Sequence, residues 1–123
     1  MPRKTLYIVS GIAELFFALN LIFMPETFWS LHGVEVGLLG IWIGRIMTSM
    51  MLANLLLRWR LRNEPADSFG ARIFSQGQVI AWGLVSLFTT LTAFAVGLNN
   101  MIWGTVAIGI TFVVLFAIDG FKK

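Results

Sequence analysis

The sequence predicts an all-α integral membrane protein, a four-helix bundle, and three observations lead to it. The 123 residues are 58% hydrophobic and only 12% charged, and the mean hydropathy is +0.84, far too apolar for a water-soluble domain of this length. Four long apolar runs are separated by short polar breaks. Each run is continuously apolar over roughly 20 residues, the length a helix needs to cross a ~30 Å hydrocarbon layer, whereas barrel strands would be ~10 residues of alternating polarity.

The first span is placed at Thr5–Met24. It follows "MPRK" with no small-residue cleavage site behind it, so it reads as a retained signal anchor. Pro25 ends it, and "TFWSLHG" then forms a short interfacial segment with Phe28, Trp29 and Leu31 on the membrane surface. The second span, Gly37–Leu57, is entered through Gly33, Gly37, Gly40 and Gly44. That small-residue ridge suits close helix approach, within the bundle or at a dimer face. "RWRLRNEPADSFGAR" is the strongly polar connection, with a turn at Pro65; it is a solvated, headgroup-binding loop or a dock for a cytoplasmic partner. The third and fourth spans, Ile73–Val96 and Met101–Ile118, are joined by the tight "GLNN". Together the spans fill a single transmembrane domain, residues 1–123, and leave no room for a separate catalytic module.

Orientation follows from the nine Lys and Arg residues. Arg3 and Lys4 precede the first span, Arg58, Arg60, Arg62 and Arg72 flank the second connection, and Lys122 and Lys123 close the chain. The other two connections carry none, so both termini are expected on the cytoplasmic side of a cytoplasmic (inner) membrane, with antiparallel up-down helices. Tyr7 and Trp59 then fall at the inner interface, Trp29 and Trp103 at the outer one. The net charge of +3 therefore reflects topology and anionic-lipid contact rather than nucleic-acid binding. With no cysteine in the chain, disulfides, thiolate metal sites and thiol redox chemistry are excluded.

Two charges interrupt the apolar runs. Glu14 lies about nine residues, ~14 Å, into the first span, and Arg45 about eight residues into the second, which puts them level within roughly a turn. An unpaired charge at that depth costs ~2.5–3.5 kcal/mol or more. A Glu14–Arg45 ion pair is therefore expected, either pinning the two helices together or serving as a proton, cation or anion site. Ser10, one turn before Glu14, can donate to it. Gln78, Trp82, Ser86 and Thr89 recur at three- and four-residue steps along one face of the third span, and Asn54 can meet Gln78 near the same level. Met47, Met50 and Met51 read as adaptable packing. His32, between Glu26 and Glu35, is the weak candidate for a metal ligand. No catalytic constellation and no cofactor motif is present. The expected partners are the lipid bilayer, a small hydrophobic or lipid-like ligand, and a homodimer or membrane-complex partner.

Laid end to end, "AELFFALNLIFMPETFW…HG", "GRIMTSMMLANLLLRW" and "NNMIWGTVAIG" resemble the small four-helix membrane proteins of the DoxX-like group. The shared features are a polar residue in the first helix, a Pro and aromatic segment after it, a Gly-Arg step (Gly44, Arg45) in the second, and a basic loop before the third. The resemblance implies a four-helix membrane protein, in a group of mostly unknown function that includes accessory members of membrane complexes. Glu14 also matches the position of the glutamate with which small multidrug resistance transporters exchange protons for cationic drugs. That second resemblance implies proton-coupled transport as the alternative. The chain departs from it in the Arg-rich connection, in the neutralising arginine, and in having no aromatic-glycine motif near Trp82 and Gly83.

Overall fold

The structure is a computed structural model and describes residues 1–97 and 99–122; Lys123, among the basic residues of the last tail, lies outside them. The described residues form five helices: α1 Arg3–Phe23, α2 Pro25–Leu31, α3 Leu38–Leu61, α4 Phe69–Val96 and α5 Met101–Phe121. All but α2 are long and apolar enough to cross a membrane.

Local chemistry sets the breaks. Pro25 has no N–H to continue α1 but suits the first position of α2. Gly33, at φ +77°, lets the chain turn after α2 in a left-handed conformation that a side chain would strain, and Asn99 Nδ2 donates to the Leu31 carbonyl at 2.8 Å. Ser68 caps α4 through the Ala71 N–H. Gly97, left-handed at φ +67°, closes α4 with its N–H on the Ala93 carbonyl.

Packing organises the long helices as two pairs, α1 with α3 and α4 with α5. Along α4 and α5 the partners run in opposite chain order, from Gln76 against the Gly120 carbonyl through Trp82 on Phe112 to Phe94 on Trp103. Along α1 and α3 they run from Ser10 with Arg58 to Ile22 with Arg45. The two pairs meet around Leu6, Tyr7, Phe112 and Phe116, with Phe74, Val79 and Trp82 packed on that cluster. Most other large apolar side chains point outward, including Leu38, Trp42, Phe69 and Phe94, an arrangement suited to contact with lipid.

Two details differ from the sequence expectation. Phe28 turns inward rather than resting on a surface, because its ring meets Phe17 at 5.8 Å and His32 at 4.8 Å. The glycine ridge meets no other helix: a Cβ at Gly37 or Gly44 would meet nothing within 4 Å, and one at Gly40 would collide only with Val36, in the linker just before α3. The close approach occurs instead in α5, where a Cβ on Gly109 would collide with Ser86 Oγ and one on Gly120 would lie 3.0 Å from the Gln76 nitrogen.

Candidate functional site

Glu14 is 5% exposed, and its partner is Arg58, 2% exposed, not Arg45. Arg58 Nε donates to Glu14 Oε2 at 2.8 Å. Arg58 Nη2 donates to Gln78 Oε1 at 2.6 Å, Gln78 Nε2 to Asn54 Oδ1 at 3.3 Å, and Asn54 Nδ2 back to Glu14 Oε1 at 3.2 Å. Four side chains from α1, α3 and α4 thus close a ring. Because a guanidinium only donates and a carboxylate only accepts, both amides are held in one orientation. Arg58 Nη1 also donates to Ser10 Oγ, and its guanidinium carbon lies 5.7 and 5.3 Å from the ring centroids of Phe74 and Phe116. The ring carries no net charge, and each of its polar groups has a partner, the condition under which a buried ion pair is tolerated.

The helix register explains the exchange of partners. Gly11 faces Leu55 and Arg58, Glu14 faces Asn54, and Ile22 faces Arg45. With α2 and the linker climbing past the end of α1, α3 starts beyond that end, and counting inward from Gly37 overstates the depth of Arg45. Arg45 lies about eight residues of α1, or ~12 Å, from the level of Glu14. There its Nη2 donates to the Ile22 carbonyl at 3.3 Å, one of the orphan carbonyls at the end of α1 where a cation is favourable.

A second polar group lies nearer the chain ends. Arg3 Nε donates to Asp119 Oδ2 at 2.9 Å, with Nη2 on the Ala66 carbonyl at 3.2 Å. Ser75 Oγ donates to the same Oδ2 at 2.6 Å, since a carboxylate can only accept. Tyr7 Oη, 2.8 Å from Ser75 Oγ and 2.9 Å from the Ala71 carbonyl, must then share its one hydrogen between them. The Arg3–Asp119 bridge brings the start of α1 and the end of α5 to one end of the bundle.

The expected polar face of the third span divides. Gln78 joins the ring, Trp82 packs on Phe112 at a 5.0 Å centroid distance, and Ser86 is buried against Gly109. Ser86 Oγ is the one buried side-chain polar atom without a hydrogen-bond partner among the described residues. Thr89 is half-buried, three residues beyond that contact. His32 is buried and fully occupied: Nδ1 donates to the Phe28 carbonyl at 2.9 Å, leaving Nε2 to accept from Thr105 Oγ1 at 3.2 Å. Among the described residues no group of three His, Asp or Glu side chains could hold a metal ion.

Sequence reasoning missed Arg58, Tyr7, Ser75 and Asp119. Arg58 was legible in one respect, as it follows Asn54 by four residues and so shares its helix face.

Above the ring, between α1 and α3, runs an open groove of about 260 Å³ lined by Tyr7, Ile8, Gly11, Ile12, Leu15, Leu55, Arg58, Trp59 and Arg62. Its walls are almost wholly apolar, while Tyr7 and Arg58 form its floor. No protein-family model, curated protein or solved structure matches the chain. Fold and site together define its class as a small helical protein with four potential membrane spans and a buried Glu–Arg salt bridge.

Proposed function

We propose that this chain is a multi-pass protein of the cytoplasmic membrane that binds a small hydrophobic or lipid-like ligand in the groove between α1 and α3. Its helices run up and down across the bilayer with both termini inside, and its Glu14–Arg58 ring is the scaffold that holds the groove open. The observation that carries this reading is the groove itself: an apolar trough, open along its side, with Tyr7 and Arg58 buried beneath it and their polar atoms turned to the ring and to Ser75. Concave sites for small hydrophobic ligands are lined mostly by apolar side chains in this way. Proton-coupled exchange is less well supported, because both Glu14 oxygens are already engaged by Arg58 and Asn54, and a carboxylate so held offers a cation little. An accessory subunit of a membrane complex is the other form of the same reading, and the outward face of α3, with Trp42, Met47 and Met50 exposed, is the surface it would offer. Membership of the DoxX-like group is part of the same proposal and rests on the motifs quoted above.

Lipid extraction from the protein purified in mild detergent tests it. The wild type is expected to retain an amphiphile at a fixed ratio per chain, and Gly11→Leu, whose side chain would fill the trough beside Leu55 and Arg58, is expected to lose it. Ile12→Phe adds bulk at a position 63% exposed, so it keeps the test informative should Gly11→Leu fail to fold. Equal retention by folded variants would overturn the proposal.

A further inference from the structure

We infer that the groove and the basic hollow at its end form one site for an anionic phospholipid, with an acyl chain in the groove and the phosphate between Arg62 and Lys4. This rests on the groove being a ligand site and adds the chemistry of the ligand. Along α1 the groove runs from Tyr7 to Leu15, about 12 Å, most of the ~15 Å half-thickness of a hydrocarbon layer. That length suits one leaflet's acyl chain.

The hollow, about 420 Å³, is lined among others by Arg3, Lys4, Arg62, Lys122, Glu64 and Asp119. Arg3 is committed to Asp119. Lys4, Arg62 and Lys122 have no carboxylate within ion-pair distance among the described residues, so three cations face Glu64 alone. Arg62 lines both groove and hollow. Its guanidinium is stacked on the Trp59 indole, 3.4 Å from the ring centroid, and donates to the Trp59 carbonyl, which holds it at the seam. A neutral apolar ligand would leave these cations unmatched, and an acidic peptide would leave the apolar trough unfilled. An anionic phospholipid complements both, since basic residues at the membrane surface attract anionic headgroups.

Quenching of Trp59 fluorescence tests the inference. The protein is reconstituted into vesicles of phosphatidylcholine and phosphatidylglycerol in which one lipid or the other carries brominated acyl chains, and the Trp59 signal is taken as the difference from Trp59→Phe. Brominated phosphatidylglycerol is expected to quench roughly fivefold more effectively per lipid, the preference that one added cation–headgroup contact supplies. Lys4→Gln combined with Arg62→Gln should bring the ratio to about one, whereas Arg60→Gln, outside both cavities, should leave it unchanged. A wild-type ratio near one, or a ratio indifferent to the double substitution, overturns the headgroup assignment. If the two lipids quench equally and Ile12→Phe weakens both, the groove still binds chains and only the anionic preference falls. If Ile12→Phe changes neither, the groove reading fails as well.

Discussion

Arg58 Nε and Glu14 Oε2 lie 2.8 Å apart across 44 positions of sequence, and the bond joins α1 to α3 at the point where α4 supplies Gln78. Removing either charge strands the other in a buried site, at a cost of about 3–5 kcal/mol. Glu14→Gln and Arg58→Met should each destabilise the protein by that order, and the double variant should recover much of the loss. Unfolding in bicelles followed by steric trapping gives the cycle; additive losses would show that the two charges do not depend on each other.

Arg45 should behave differently. Its guanidinium serves the last carbonyls of α1, an interaction of about 0.3–1 kcal/mol, and it is remote enough from Glu14 for independence. In the same assay Arg45→Gln should cost less than a third of what Arg58→Met costs, with no coupling to Glu14→Gln. Coupling above about 0.5 kcal/mol would reinstate Arg45 as a partner.

The contrast between these arginines marks what the sequence could convey. Apolar run length made the four long helices legible, because the bilayer thickness and the helix rise leave little freedom. Pairing was less legible because it depends on register, which the α2 segment and its linker shift by more than a helical turn. The cost of a charge in hydrocarbon set Glu14 inward, helix spacing placed Ser10 a turn before it and Gln78 on a polar face, and residue counting brought Asn54 level with Gln78. Arg58 read as a loop charge because basic residues crowd that end of the second span, and only the continuation of α3 to Leu61 places it inside. Asp119 gave no signal beyond an acidic residue close to two lysines.

Helix approach supplies a further test. Gly120 and Gly44 are both small residues within apolar helices, yet a methyl group at Gly120 would lie 3.0 Å from the Gln76 backbone nitrogen and 3.2 Å from Ser75 Cβ, while one at Gly44 meets nothing. Gly120→Ala is expected to cost about 1–3 kcal/mol through overpacking. Gly44→Ala is expected to be neutral or to stabilise by about 0.5–1 kcal/mol, the helix preference of alanine over glycine. Equal effects in the unfolding assay would contradict the packing of α4 on α5, and a large loss at Gly44 would reveal a partner on the ridge.

At the chain ends, Asp119 holds Arg3 and Ser75, so Asp119→Asn should loosen the first turn of α1 and the last turn of α5 together. Hydrogen exchange by mass spectrometry should show faster exchange in both segments and little change around Glu14. Loosening of only one segment would mean that the bridge does not couple them.

The side of the membrane on which this bridge lies can be read directly, because the chain has no cysteine and any introduced thiol is the only one to label. Ser30, exposed on α2, and Asp67, exposed between α3 and α4, lie in connections that follow spans of opposite direction in the proposed topology. The excess of Lys and Arg falls on the Asp67 side. In spheroplasts an impermeant maleimide should therefore label Ser30→Cys at once and Asp67→Cys only after the membrane is opened. The reverse pattern would place both termini outside, and labelling of both thiols from one side would remove the up-down arrangement. That last result would also remove the lipid assignment for Arg62 and Lys4, which requires the hollow to face the leaflet interface.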